Sequence, residues 1–112
     1  MADIGAIPPN MSVVIDPAVI APAVGNTFRS QPSDSDTDMS MTFQATGTLT
    51  GLSSDLQISL DGGVTFVTIA NGVAFLTAAA PTKTLTPIIG GIPYRFNHTA
   101  STGNAVIRAA GN

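Results

Sequence analysis

The fold class of this chain is decided by Leu56-Gln57-Ile58-Ser59-Leu60-Asp61-Gly62-Gly63-Val64-Thr65-Phe66-Val67-Thr68-Ile69. In its first part, apolar residues alternate with polar ones, which is the period of a strand with one buried face. Asp-Gly and Gly-Gly pairs then supply the positive φ angles that hairpin turns need. Residues 64–69 return with apolar side chains on both faces. The stretch therefore predicts a β-hairpin whose structural turn is Asp61, Gly62 and Gly63.

Strand-like segments continue on both sides of this hairpin. Met41, Phe43 and Ala45 alternate with polar residues, and Pro87 indicates an edge or a bulge. Seven to nine strands at roughly ten-residue spacing, without helical periodicity, are typical of a sandwich or a small barrel. We expect one all-β domain, a β-sandwich of immunoglobulin-like or jelly-roll type. The further predicted strands are 11–15, 19–24, 41–46, 73–77, 83–89, 92–98 and 104–109.

The sequence changes character near residue 38. Residues 1–38 hold five of the eight prolines and end in the acidic stretch 33–38. Because proline has no N–H to donate to a sheet, strands here would be edge strands or part of an extended arm. We predict an extended, Pro-rich N-terminal arm and acidic loop over 1–38, and a β-sandwich domain over 39–112. Removal of residues 1–30 is then expected to abolish partner binding while the domain stays folded.

Composition limits the classes of partner. The chain is 44% apolar but only 10% charged, against about a quarter charged in an ordinary soluble domain, which suggests that other protein covers part of its surface. No cysteine is present, so disulfides and thiolate metal sites are excluded. A net charge of −3 with only four Lys and Arg residues makes nucleic acid an unexpected partner.

Targeting signals are not predicted. The first residues lack the cationic and apolar regions of a secretory signal peptide, and no run of about 18 apolar residues occurs. We therefore expect synthesis in the cytoplasm, no signal peptide and no membrane partner.

Asp34, Asp36 and Asp38 are the obvious candidates for metal ligands. Carboxylates on alternating residues can chelate Ca²⁺ in a loop. An EF-hand loop beginning at Asp34 would, however, need glycine at Met39 and glutamate at Ala45. We favour a solvated acidic loop, predict no metal site and no cofactor, and leave Ca²⁺ binding by this loop open.

Catalytic candidates are equally sparse. His98 is the only histidine, has no carboxylate or second imidazole nearby in sequence, and no Gly-x-Ser-x-Gly motif is present. We interpret it as a strand-end histidine that shares a face with Tyr94 and Phe96. Arg95 and Arg108 are expected on adjacent strands, facing an acidic neighbour or forming a small basic spot. No catalytic residue is predicted, and the chain is not expected to be an enzyme.

Apolar residues that break the alternation are the more useful signal. A sandwich strand has one inner face, so some of these side chains must point outward, and large apolar patches are rarely left uncovered. A subunit interface of about 1,600 Å² would cover them; the alternative is a closed barrel with a bulge. The predicted interface residues are Ile4, Ile7, Pro8, Pro9, Val13, Ile15, Phe66, Val67, Phe75, Leu76 and Ile88.

Two local patterns resemble known families. The segment 94–98, followed by Thr102-Gly103-Asn104 and 105–108, resembles the last hairpin of an immunoglobulin-like or fibronectin type III-like sandwich, which implies that Tyr94 packs at a corner of the core. The segment 59–66 is similar to the Asp-box of sialidase propellers, Ser-x-Asp-x-Gly-x-Thr-aromatic. That box is a hairpin device without catalytic atoms, and a propeller is far longer than this chain.

Residues 39–112 form a cysteine-free β-domain rich in Thr, Ala and Gly, with the hairpin sequence of residues 56–66. In these features the segment resembles small structural proteins of tailed bacteriophages, with capsid decoration (cement) proteins closest in size. The resemblance implies a virion protein on the capsid surface that binds the major capsid protein and itself, often as a trimer. Two alternatives remain: a tail, neck or fibre component of the same kind of virion, or a glycan- or receptor-binding β-sandwich module. The glycan module would need exposed aromatic side chains, which this sequence supplies sparingly.

Overall fold

The computed structural model describes residues 3–8, 11–19, 21–30, 40–86, 88–101 and 104–111. In these ranges the chain forms β-strands joined by turns, and no helix occurs there, so no described segment is a helix that could cross a membrane. The strands are β1 (Asp3–Ile7), β2 (Ser12–Asp16), β3 (Ala23–Val24), β4 (Thr27–Ser30), β5 (Met41–Gly47), β6 (Ser53–Ile58), β7 (Val67–Thr68), β8 (Leu76–Thr77), β9 (Thr82–Leu85), β10 (Tyr94–Ala100) and β11 (Ala105–Gly111).

The strands form two packed sheets. The larger sheet has the order β1-β4-β10-β6-β7, with β3 also paired to β10 and β8 to β6. The smaller sheet has the order β2-β11-β5-β9. Apart from the parallel pair β1–β4, the strand pairs are antiparallel. This arrangement confirms the prediction of an all-β, sandwich-like domain.

Simple alternation explains the long strands. In β5, Met41, Phe43 and Ala45 are buried while the residues between them are exposed. The same pattern holds in β10 and β11, whose inward positions are also buried. Each of these strands therefore turns one face to the space between the sheets and the other outward.

Aromatic rings fill the centre of that space. Phe43 from the smaller sheet meets Phe96 from the larger one edge-on, with ring centroids 5.3 Å apart. Phe28 lies 5.5 Å from Phe43, and Phe75 lies 5.7 Å from it. Edge-to-face and tilted contacts of this kind add stabilisation beyond the burial of apolar area. A cluster of aromatic rings thus packs between the two sheets.

The predicted hairpin is confirmed. Strands β6 and β7 pair antiparallel, with Gln57 opposite Thr68 and Ile58 opposite Val67. The returning strand is shorter than the predicted 64–69 because residues 59–66 form the loop. The strands predicted at 19–24, 73–77 and 83–89 are also shorter, since β3, β8 and β9 cover only part of them.

The structure does not show the predicted N-terminal arm. Strands β1 to β4 pair within both sheets, and Ile7, Ile15 and Phe28 are buried in the core. Pro8 and Pro17 each follow directly after a strand, so these prolines end strands rather than keep the segment out of the sheets. Removal of residues 1–30 would therefore take away core side chains. The proposed boundary at residue 38 lies outside the described residues.

The expected terminal hairpin is wrong. Strand β10 pairs with β3, β4 and β6 in the larger sheet, whereas β11 pairs with β2 and β5 in the smaller one. The chain crosses from one sheet to the other between these strands. Tyr94 nevertheless takes the corner position: it is buried at the start of β10, and its hydroxyl accepts a hydrogen bond from the backbone N–H of Ile89 (3.2 Å). Arg95 and Arg108 consequently lie on different sheets and form no joint basic spot.

Candidate functional site

The tip of the β6–β7 hairpin is organised by one carboxylate. Asp61 Oδ1 accepts hydrogen bonds from the Ser59 hydroxyl (2.7 Å) and from the backbone N–H groups of Val64 (3.2 Å) and Thr65 (2.9 Å). The Ser59 oxygen in turn accepts the N–H of Gly63 (2.9 Å). Gly62 and Gly63 have φ angles of 80° and 97°, as their predicted role in the turn requires. We call residues 59–65 the Asp61 turn.

These hydrogen bonds act on the charge of Asp61. The backbone N–H of Thr65, followed by the Ser59 hydroxyl, lowers the pKa of the Asp61 carboxyl from 3.8 to about 2. Each of these donors stabilises the ionised form more than the neutral one. The turn therefore keeps a fixed negative charge at its tip far below neutral pH.

An apolar groove lies beside this charge. Ile58, Leu60 and Val67 line a shallow hollow of about 280 Å³, together with Asp61 and Thr65. Leu60 and Val67 are 76% and 62% exposed, which is unusual for side chains of their size. We call this hollow the hairpin groove. It is an apolar surface with a carboxylate at its rim.

The base of the hairpin is held against β10. The guanidinium of Arg95 stacks on the ring of Phe66, with 4.1 Å between the guanidinium carbon and the ring centroid. Arg95 Nε also donates to the side-chain oxygen of Gln57 (2.8 Å). Partial burial lowers the pKa of Arg95, although an arginine remains charged at any physiological pH. The groove therefore sits on a hairpin with fixed side-chain supports.

A second polar cluster lies inside the sandwich. His98 and Ser54 stand opposite each other on β10 and β6, and Asp16 ends β2 in the other sheet. His98 Nδ1 lies 2.7 Å from Ser54 Oγ, and Nε2 lies 3.0 Å from Asp16 Oδ2. The second oxygen of Asp16 accepts the backbone N–H of Asn26 (2.7 Å). We call Ser54–His98–Asp16 the buried polar chain.

The positions of the protons in the buried polar chain follow from which of its side chains can donate and which can accept hydrogen bonds. A carboxylate only accepts hydrogen bonds, so His98 Nε2 carries the proton that faces Asp16. In the neutral ring, Nδ1 then accepts the hydroxyl proton of Ser54. The three groups satisfy one another, and the Asp16–His98 bond ties the two sheets together.

The three residue types match a hydrolytic triad, but their surroundings do not suit one. Ser54 is 0% exposed, so a substrate carbonyl has no path to its oxygen. A hollow of about 270 Å³ touches Asp16 and His98 but is not lined by Ser54. A nucleophile needs both an activating base and access to the reacting atom. The geometry therefore favours a structural contact between the two sheets over a role for Ser54 in acyl transfer.

Sequence reasoning placed His98 on the face of Tyr94 and Phe96, which is confirmed, but missed its partners. Ser54 and Asp16 lie 44 and 82 positions away in sequence. The one available signal was a carboxylate that ends an apolar strand, Asp16, because a buried charge requires a partner.

The predicted interface residues divide by burial. Ile4, Pro8, Val13 and Phe66 are half-buried, Val67 is exposed, and Pro9, like Asp34, Asp36 and Asp38, lies outside the described residues. Five others belong to the core of the chain, where internal packing accounts for their apolar character: Ile7, Ile15, Phe75, Leu76 and Ile88.

Comparison with known proteins does not extend these observations. No family model, curated protein or solved structure matches the chain significantly.

Proposed function

We propose that this chain is a non-enzymatic structural protein of a tailed-bacteriophage virion, which binds and stabilises the outer surface of the capsid as a decoration protein. Its partners on this proposal are the major capsid protein and further copies of itself, with a trimer as the expected oligomer. The observation that carries the proposal is the hairpin groove, because it is an exposed apolar surface on a rigid support.

The strand order supports a virion role. When β1 and the two-residue strands β3 and β8 are left out, the other eight strands resemble a jelly roll in their connectivity, with β2-β11-β5-β9 as one sheet and β4-β10-β6-β7 as the other. Jelly rolls are common in viral capsid and lectin domains. The immunoglobulin-like alternative is less well supported, since β10 and β11 lie in different sheets. Fold alone does not assign function, so this likeness adds to the groove without replacing it.

The groove suits shallow, repeated contacts. Leu60 and Val67 would each be covered on contact, and burial of apolar surface contributes roughly 25 cal/mol per Å² before the costs of association. One such contact is weak. A repeating capsid lattice raises the effective concentration of the second and third contacts, so oligomers bind far more tightly than single chains.

The burial of the aromatic side chains argues against a glycan-binding module. Phe28, Phe43, Phe75, Tyr94 and Phe96 are buried in the core. The remaining aromatic residue, Phe66, is half-buried beneath Arg95. Carbohydrate stacking would need an open ring face. A tail, neck or fibre component remains the closest alternative, and electron microscopy of the purified protein separates it, since it would form rings or tubes.

Co-sedimentation with capsids tests the proposal. Purified wild-type protein, its mass first measured by light scattering, is mixed with capsids of the phage that encodes it, and Leu60→Ser and Val67→Ser are compared with Val73→Ser. Val73 is also exposed, at 70%, but does not line the groove. We expect wild type and Val73→Ser to sediment with capsids and the groove variants to remain in solution. Absence of wild-type binding would refute the capsid role, and equal binding by all variants would refute the role of the groove.

A further inference from the structure

The outer face of the smaller sheet differs from the hairpin groove in being polar and carrying a single charge. Arg108 is exposed on β11, a central strand of that sheet. Its hollow, of about 190 Å³, is lined also by Ser12, Thr42, Gln44, Thr82, Ala109 and Ala110. None of the residues lining this hollow is acidic. The hollow therefore offers the guanidinium hydroxyl and amide groups beside apolar surface, but no counter-charge.

Arg108 contrasts with the other cations of the chain. Arg29 forms an ion pair with Asp3 (3.1 Å), Arg95 stacks on Phe66, and Lys83 Nζ lies 5.5 Å from the ring centroid of Phe75. No comparable partner of Arg108 is found among the residues that the structure describes. The chain as a whole is acidic, with a net charge of −3. Within the described residues, Arg108 is thus a cation without a counter-charge in its hollow, although the net charge of the chain is negative.

We propose that this face binds a carboxylate side chain presented by an acidic segment of a partner protein, with the Arg108 guanidinium as the anchor. Arginine matches a carboxylate with two parallel hydrogen bonds, and such charge-assisted pairs are about twice as strong as neutral ones. The hydroxyl of Thr82 and the amide of Gln44, which stands directly opposite Arg108, supply further donors at the same hollow.

Charge and size select a carboxylate over other ligands. Phosphate and nucleic acid sites draw on several cations, whereas this face offers one. Small-molecule sites usually occupy about 300–1,000 Å³, and a hollow of about 190 Å³ suits a single side chain. Because β11 pairs on both sides, with β2 and with β5, the guanidinium is presented from a rigid backbone.

An NMR titration of the full chain tests the proposal. Hexaglutamate is the probe, with hexaglutamine and inorganic phosphate as the comparison ligands, and amide shifts are followed across the protein. We expect saturable shifts confined to β2, β5, β9 and β11 with hexaglutamate. Arg108→Gln should weaken this binding by about tenfold, equivalent to about 1.4 kcal/mol. Arg29→Gln removes the same charge from the other sheet and should leave the binding unchanged.

Three outcomes would overturn the proposal: no localised shifts in the wild type, equal binding by Arg108→Gln, or phosphate binding at the same face at least as tightly as hexaglutamate. Arg108→Lys adds a finer test, since lysine keeps the charge but loses the paired donors. Binding by Arg108→Lys should fall between wild type and Arg108→Gln. The result is independent of capsid binding, because the hairpin groove lies on the other sheet.

Discussion

The two polar clusters of this protein are built in opposite ways. In the Asp61 turn, the hydrogen bonds of Asp61 and Ser59 join residues at most four positions apart, at an exposed tip. In the buried polar chain, the contacts of His98 join residues 44 and 82 positions apart, inside the sandwich. The carboxylate of the first cluster, Asp61, is exposed, whereas Asp16, Ser54 and His98 of the second cluster are all buried. Chemically similar groups should therefore contribute unequally to stability.

The largest difference is expected at Asp16. Asp16→Ala removes the acceptor of the buried His98 Nε2 and of the half-buried N–H of Asn26, which should lower the free energy of unfolding by about 3 kcal/mol. Asp16→Asn should cost less, because the new amide oxygen can accept from Asn26 while its nitrogen donates to His98 in the other tautomer. Urea denaturation measures both values.

Asp3→Ala is the control for this comparison. Asp3 pairs with Arg29 at the surface, where such ion pairs are worth about 1 kcal/mol or less. A loss at Asp16→Ala no larger than the loss at Asp3→Ala would show that the buried chain does not tie the sheets together.

Sequence separation also explains which features were predictable. The Asp61 turn follows from adjacent residues, since Asp61, Gly62 and Gly63 carry their conformational preferences locally. The alternation of β5 was likewise predictable because it has one buried and one exposed face. The partners of His98 depend instead on which strands meet across the sandwich, and strand order leaves no trace in the period of a single strand.

Apolar loop residues account for the errors in predicted strand length. Val64 and Val73 read as strand residues, but both are exposed in loops at 83% and 70%. Conversely, Ile7 and Phe75, both predicted interface residues, are buried in the core of the single chain. The prolines of residues 1–38 suggest an arm, whereas Pro8 and Pro17 lie just beyond strand ends. A proline limits a strand locally without deciding whether its neighbours join a sheet.

The same change, serine to alanine, can be made in each cluster, so that the two clusters are compared directly. Ser54 and Ser59 are both 0% exposed, and each makes side-chain hydrogen bonds in one cluster. Ser54→Ala leaves His98 Nδ1 buried without a partner and should cost about 2 kcal/mol. Ser59→Ala should cost about 1 kcal/mol, because Asp61 is exposed and Gly63 is half-buried, so water can replace the serine oxygen at both groups. Equal losses for the two variants in urea denaturation would contradict the distinction between local and non-local clusters.

Tyr94 provides an intermediate case. Its hydroxyl bonds a backbone N–H only five positions away, but the residue is buried between the sheets. Tyr94→Phe keeps the ring contact with Phe28, at 6.1 Å, and removes only this bond. We expect a loss of about 1 kcal/mol, or a fall in Tm of about 4 °C for a domain of this size. A loss as large as that of Asp16→Ala would mean that the corner, and not the buried chain, holds the sheets together.

The smallest effect on stability is expected from Asp61 itself, and it should appear in the pH dependence. The pKa of Asp61 is lowered to about 2 in the folded chain, against 3.8 when its hydrogen bonds are absent. Stability that depends on its charge is therefore present above about pH 4 and lost as the pH falls toward 2. The difference in stability between wild type and Asp61→Asn should shrink over this interval.

Direct titration of the Asp61 carboxyl carbon by NMR separates the contributions to this shift. Ser59→Ala removes one of the donors that hold the charge, so the pKa of Asp61 should rise from about 2 part of the way toward 3.8. It should not reach the upper value, because the N–H of Thr65 is the larger cause and belongs to the backbone. Ser54→Ala is the matched control and should leave this titration unchanged. A shift in the Ser54→Ala variant would mean that the two clusters are coupled through β6, and that the hairpin tip depends on the interior of the sandwich.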